Sequence, residues 1–350
     1  MIQKLRKFVC FVTETGRIDR PLHDPSVRYR CFHPAELLKQ KGHNCSVISA
    51  ARFYENPNLD YDVYVFHRPN KARAGFSDIV RFLRQQGSLV IADYDDLIFG
   101  PAEIALESSA VKNGTLTPEK AVAAFSSNLA ALLEFDMVTV STEPLAEKLR
   151  QFNPGARVAV VPNIVPPSML SLHSGLGTHV RQRPSTTIGY FAGTKSHDRD
   201  FPVVEAALHR VLLEKPELSL LIVGPVAVPR GIAALPNVRV AAVVNYFRLP
   251  SLMAMCATVI APLESSTFNA CKSRVKFLEA ALSGCRLVTS AIPDMQAIGP
   301  EHLVLAPDAD AWYEALSEID GAGRRALASR NFAYLQDNLK IDGLETFGDL

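Results

Sequence analysis

Between Phe268 and Ser290 the chain reads FNACKSRVKFLEAALSGCRLVTS. Asn269, Lys272, Ser273, Lys276 and Glu279 recur three or four residues apart, the spacing that aligns side chains on one helix face. Cys271, Val275, Leu278 and Leu282 fall on the complementary apolar side. Ser266 or Thr267 can cap the start and Gly284 can end it. The pattern predicts one helix opening at Thr267, at the carboxyl end of a strand Val259–Pro262. A helix start presents free N–H groups and the positive end of the dipole. Lys272 and Lys276 add two cations. Together these groups suit a diphosphate, and Glu279, two turns further on, suits a ribose diol.

A second segment has related chemistry. Ile188–Phe201 reads IGYFAGTKSHDRDF, a strand ending in Gly193-Thr194 with Lys195, His197 and Arg199 ahead of a helix. Glycine at a strand-to-helix turn lets a ligand approach the backbone. Lys195 and Arg199 bring further positive charge to the same sheet edge. In the first half, His67 and Arg68 end a strand, and Asp93, Asp95 and Asp96 end another.

These groups need a scaffold that gathers strand ends. Strands are predicted at Lys7–Thr13, Asn44–Ser49, Tyr61–His67, Ser88–Asp93, Asp136–Ser141 and Arg157–Val161. Helical patterns lie between them, near His33–Lys41, Ser77–Gln86, Pro118–Glu134 and Pro144–Gln151. Alternation of this kind, with continuous apolar strands, argues a parallel sheet covered on both faces. Pro, Gly and Ser then cluster over residues 166–185, which read as a linker. The alternation restarts with strands at Thr187–Phe191, Leu218–Val223, Val238–Val244, Val259–Pro262, Leu287–Ser290 and Leu303–Leu305. The expected domains are therefore residues 1–165, a linker 166–185, and 186–350. Each is a doubly wound Rossmann-like α/β unit, and the two face each other across a cleft.

Bulk properties exclude several classes. The chain has 350 residues, 48% of them hydrophobic and 21% charged, with a net charge of +1. That balance is globular and argues against a nucleic-acid partner. No apolar run is long enough to span a bilayer, and no secretory leader is evident. The six cysteines form no CxxC pair, which suits a reducing, cytoplasmic setting and argues against zinc or a disulfide framework. Charge is uneven: residues 1–84 hold 15 Lys and Arg against 8 Asp and Glu. A basic lobe of this kind suits a solvated surface with arginines in local pairs, or peripheral contact with an anionic surface such as the inner face of the cell membrane.

The motifs together resemble GT-B fold glycosyltransferases, in particular the retaining family 4 and its bacterial cell-envelope and O-antigen subgroup. The resemblance rests on Ala261-Pro262-Leu263-Glu264, Phe268-Asn269 and the run Lys272 to Glu279. Arg28-Tyr29-Arg30, Phe66-His67-Arg68, Asp93 to Leu97 and Val161-Pro162-Asn163 also fit. It implies a hexosyl- or deoxyhexosyltransferase that moves a sugar from a nucleoside diphosphate to a hydroxyl of a glycan or lipid-linked acceptor. Lys272, Lys276, Lys195 and Arg199 would stabilise the departing phosphate. Gly193, Thr194, Asn269, Ser273, Glu279 and Glu264 would bind the donor. Arg28, Arg30, His67, Arg68, Asp93, Asp95 and Asp96 would lie on the acceptor side. No protein nucleophile, cofactor or metal is implied; the leaving phosphate oxygen would take the acceptor proton. Asp93-Tyr94-Asp95 spells D-x-D, the metal signature of the other large glycosyltransferase fold, but its position on the first domain points to the acceptor side or a structural cap instead.

One departure stands out. The wider family carries a glutamate eight residues before the one matched by Glu279, and that position is Cys271, which cannot accept hydrogen bonds as a carboxylate does. Two other readings therefore compete: a GT-B-like sugar-nucleotide epimerase, and an inactive nucleotide-sugar-binding scaffold of a polymer-assembly complex.

Overall fold

The computed structural model describes residues 6–180, 185–193, 199–319 and 324–341. Two parallel six-stranded sheets organise the chain. The first has β1 (Phe8–Thr13), β2 (Asn44–Ser49), β3 (Val63–His67), β4 (Leu89–Tyr94), β5 (Met137–Val140) and β6 (Arg157–Val160), in the order β2-β1-β3-β4-β5-β6. The second has β7 (Thr187–Phe191), β8 (Ser219–Val223), β9 (Val238–Ala241), β10 (Thr258–Ala261), β11 (Arg286–Thr289) and β12 (Val304–Leu305), in the order β12-β11-β10-β7-β8-β9. Each predicted strand is found within a few residues of its expected place.

Strands buried on both faces explain the continuous apolar runs: Val9 to Val12 and Val63 to Phe66 are all buried. Helices pack on both sides of each sheet. In the first domain, aromatic side chains carry much of the core, with Phe53, Tyr64, Phe66, Phe76 and Phe135 in mutual contact. In the second domain, Trp312 is fully buried against the helix Pro202–Glu214. Strand order reverses between β1 and β3 in one sheet and between β7 and β10 in the other. Crevices at such reversals, beyond the carboxyl ends of the strands, are where open α/β sheets take ligands.

Three features differ from the sequence expectation. Residues Pro167–Val180 form a helix within the stretch read as an irregular linker. The helical path around Arg28 starts early, with turns from Pro25 through Phe32 leading into the helix His33–Gln40. The predicted helix from Thr267 is broken in two, Thr267–Ala270 and Val275–Leu282.

The final helix, Arg324–Asp337, packs against Val275–Leu282 and β11. The chain then returns to the first domain, where Ile341 is fully buried among Val9, Phe11, Leu38 and Ile164. Truncating this side chain removes apolar contacts that bind the end of the chain to the first sheet. Ile341→Ala should cost about 2–4 kcal/mol of stability in urea unfolding.

Candidate active site

On the second domain the site is built from the segment after β10. Ser266 caps the short helix Thr267–Ala270 by accepting from the Asn269 N–H at 3.1 Å. Asn269 is not turned toward the cleft. It is buried, and its amide donates to Asp200 at 3.1 Å and to the Glu264 carbonyl at 2.8 Å, pinning the loop. Glu264 is held by Arg199 through two hydrogen bonds of 3.1 and 2.7 Å at the surface. Gly193 ends the turn after β7. Thr194 and Lys195 lie outside the described residues.

Residues 271–274 interrupt the helix because their groups are committed elsewhere. Thr142, at the start of the helix after β5, donates from Oγ1 to the Cys271 carbonyl at 2.9 Å. Asn163, beyond β6, donates from Nδ2 to Ser273 Oγ at 2.8 Å. The Arg274 N–H donates to Asp294 at 2.7 Å, its guanidinium pairs with the same carboxylate, and Nη1 donates to the Tyr334 hydroxyl at 2.9 Å. A new helix then starts at Val275. The longer helix therefore starts at Val275 rather than Thr267, eight residues further along the chain than the sequence pattern places it.

Phe277, Leu278, Ala281 and Leu282 bury one face of this eight-residue helix. Lys276 and Glu279 occupy the other. Lys276 Nζ donates to Glu279 Oε2 at 2.7 Å, and the Tyr29 hydroxyl of the first domain donates to Oε1 at 3.2 Å. Burial, and then the Glu279 charge, push the Tyr29 hydroxyl well above its ordinary range, so it stays a donor. Lys272 lies close enough across the cleft to act on Asp96. Burial raises the Asp96 carboxyl, while Lys272 and Arg68 pull it down and Asp95 pushes it up.

The first domain contributes the carboxyl ends of its central strands. Thr13, His67, Asp93 and Thr139 are in register across β1, β3 and β4 to β5, and all four are buried. Asp93 is the hub. It accepts from Arg30 Nε at 3.1 Å and Nη2 at 2.5 Å and from Thr139 Oγ1 at 2.7 Å, and it lies 3.0 Å from His67 Nδ1. Burial alone would raise its carboxyl, but Arg30 and His67 hold it down at about 2. Asp95 accepts from Arg68 at 2.7 and 3.0 Å and from Ser26 Oγ at 2.5 Å. Arg68 itself has a left-handed backbone at φ 54°, uncommon for a side-chain-bearing residue and a mark of functional sites.

Two expected acceptor-side residues are placed differently. Arg30 is buried under the sheet edge, with Nη1 donating to the Val161 carbonyl at 2.5 Å and to Asn163 at 3.0 Å. Arg28 is also buried, its guanidinium 3.4 Å from the centre of the Tyr246 ring of the second domain. As placed, neither offers charge to an acceptor or a lipid surface. His67, Arg68, Asp93, Asp95 and Asp96 do gather at one rim. Asp93 and Asp95 of the D-x-D run each pair with an arginine. Among the described residues no group of three or more His, Cys, Asp or Glu is arranged to hold a metal, and no helix is long and apolar enough to cross a membrane.

Sequence reasoning missed Ser26, Thr142, Asp294 and Tyr246, and it named Tyr29 only within Arg28-Tyr29-Arg30, with no role of its own. Only Asp24-Pro25-Ser26, which reads as a helix cap followed by proline, carried a local signal, and that signal was structural.

No protein-family profile and no curated relative matches the chain. Solved structures do. The chain has the GT-B fold. An Anabaena protein, HepE, in complex with UDP and glucose aligns over 97% of this chain and 98% of its own, at TM-score 0.57 and 14% identity. Sucrose-phosphate synthase from Thermosynechococcus elongatus aligns over 98% and 96%, at 0.59 and 16% identity. A glycosyltransferase from Rickettsia africae aligns over 98% of each chain, at 0.61 and 11% identity. In this GT-B chain the two switch-point crevices face each other, joined by Thr142 to Cys271 and Asn163 to Ser273.

Cys271 sits at that joint. It is buried in the apolar core of the first domain, and burial pushes its thiol up to about 12. The position is a packing contact between domains, closed to solvent. Cys271→Glu should destabilise the chain by about 3 kcal/mol or more through an uncompensated buried charge, measured by urea unfolding.

Asp93 gives a pH signature. Folded, it ionises at about 2, against about 4 unfolded. The folded state thus binds fewer protons on this group. Its contribution is complete above about pH 4 and is lost as pH falls toward 2. Melting curves should show that acid limb, and Asp93→Asn should flatten it.

Proposed function

We propose that the chain is a glycosyltransferase that moves a sugar from a nucleoside diphosphate to a hydroxyl acceptor. The observation that carries this reading is the start of the helix Val275–Leu282. It opens at the cleft with Lys276 and Glu279 on its part-buried polar side and Lys272 just ahead of it. A diphosphate placed there meets the N–H groups of the first turn, the dipole end and two ammonium groups. Glu279 is about one turn along this helix and can accept from both hydroxyls of a ribose once Tyr29 yields one carboxylate oxygen. Arg199 and Glu264 lie at the rim of the same edge, paired with each other.

Departure of the nucleotide places negative charge on the β-phosphate and positive charge on the sugar ring. Cations and N–H groups fixed around that phosphate stabilise the transition state more than the ground state. The contacts between Thr142 and Cys271 and between Asn163 and Ser273 describe a closed cleft, which keeps water from the donor. The resemblance of the sequence motifs to retaining family 4 supports retention, metal independence and a role in cell-surface polysaccharide synthesis. Cys271 supports a second reading, a donor-binding scaffold without turnover.

Nucleotide release from a panel of nucleotide sugars separates the two. A transferase releases nucleotide when acceptor is present; a scaffold binds and releases none. Lys276→Ala should lower turnover about a hundredfold. Glu279→Ala should mainly weaken donor binding, seen as a higher donor KM. Wild-type turnover in the lysine variant would remove Lys276 from the phosphate site.

A further inference from the structure

We propose that Asn163 is a positioning residue for the donor diphosphate: it fixes the Ser273 hydroxyl as a hydrogen-bond donor to phosphate. The proposal rests on the donor site described above. It adds one hydrogen bond to that site and names the residue that sets its direction.

Asn163 stands just after β6, where the chain leaves the first sheet, and it is buried. Its carboxamide joins two groups of unlike character. Arg30 Nη1 lies 3.0 Å from Asn163 Oδ1, and Asn163 Nδ2 lies 2.8 Å from Ser273 Oγ. A carboxamide accepts at one end and donates at the other, and a hydroxyl can face either end. A guanidinium only donates. Arg30 therefore fixes the amide with its oxygen inward and its NH2 group toward Ser273. Arg30 is itself held in place. It is buried, its Nε and Nη2 donate to Asp93 at 3.1 and 2.5 Å, and Nη1 also donates to the Val161 carbonyl at 2.5 Å.

The bonds consequently run in one direction. Arg30 donates to Asn163, and Asn163 donates to Ser273. Ser273 Oγ uses a lone pair in that bond, so its own hydrogen points elsewhere. Among the described residues no group accepts that hydrogen. The neighbouring groups are donors too. The Lys272 ammonium comes just before, and the free N–H groups of Val275 and Lys276 come just after. The Arg274 N–H and guanidinium are already given to Asp294. A half-buried hydroxyl with a hydrogen to give, set among positive groups, matches an anion with several oxygens. A diphosphate at the start of this helix is such an anion.

The direction of the bonds can be reversed without removing them. Asn163→Asp keeps the shape of the side chain but leaves it only acceptors. One oxygen then takes the Arg30 hydrogen and the other takes the Ser273 hydrogen. The contact between the domains persists, while the serine no longer donates to a ligand. A purely structural role for Asn163 tolerates this exchange; a positioning role does not.

The test is calorimetric binding of inorganic pyrophosphate and of UDP to the full chain. Asn163→Asp and Ser273→Ala should each weaken both ligands about tenfold or more, and Ser273→Thr should bind close to wild type. The double variant separates the hydrogen bond from the added charge. In the Ser273→Ala background, Asn163→Asp should cause no further loss, because the hydrogen it redirects is already gone. Where Asn163→Asp does not fold, Ser273→Ala against Ser273→Thr decides. Wild-type affinity in Asn163→Asp or Ser273→Ala overturns the proposal. So does an equal loss from Asn163→Asp with and without the serine hydroxyl. Binding of pyrophosphate without UDP removes the nucleotide reading, and the variants still decide Ser273 on pyrophosphate. A chain that binds neither ligand overturns both.

Discussion

The buried carboxylate of Asp93 is the constraint on which the two halves of the site depend. A charge taken out of water in this way is tolerated only when every lone pair finds a partner. Arg30, Thr139 and His67 supply those partners, and each then transmits the constraint. His67 is fixed toward Ser26 and the cleft. Arg30 is fixed toward Asn163, which in turn holds Ser273 of the second domain. A continuous hydrogen-bonded path thus runs from His67 through Asp93, Arg30 and Asn163 to Ser273, in the loop that precedes the helix Val275–Leu282.

This path explains why the helix is broken. Nothing in the residues Asn269 to Lys276 disfavours a helix; there is no proline or glycine. The interruption at residues 271–274 comes from Thr142, Asn163 and Asp294, three groups remote in sequence. By ending one short helix and starting another, they place a new set of free N–H groups against the first domain. The apolar contact of Cys271 and the stacking of Arg28 on Tyr246 hold the same closed arrangement from either side. Glu279 is shared between Lys276 and Tyr29, so this carboxylate ties the helix after the break to the first domain.

Much of the scaffold was legible because continuous apolar strands and amphipathic helices are local signals. Strand positions, the two-domain alternation and the pairing of Lys276 with Glu279 followed from periodicity, whereas Lys272 falls in the break ahead of that helix. What was not legible depended on partners far along the chain. Arg28 and Arg30 look like surface charge in a basic lobe, and only Tyr246 and Asp93 explain their burial. Asn269 shares the periodic face of the lysines, yet Asp200 draws it inward. Ser26 shows in the sequence only as part of a helix cap, Asp24-Pro25-Ser26; a turn places it 2.8 Å from His67. The helix over Pro167–Val180 was obscured by its glycines, serines and flanking prolines, which mark irregular chain in most settings.

A structure of the chain with UDP bound tests the central claim most directly. The account predicts the diphosphate against the N–H groups of Val275 and Lys276, with both lysine ammonium groups turned to it and the ribose hydroxyls on Glu279 in place of Tyr29. A nucleotide bound elsewhere, with Glu279 still held by Tyr29 and Lys276, would contradict it.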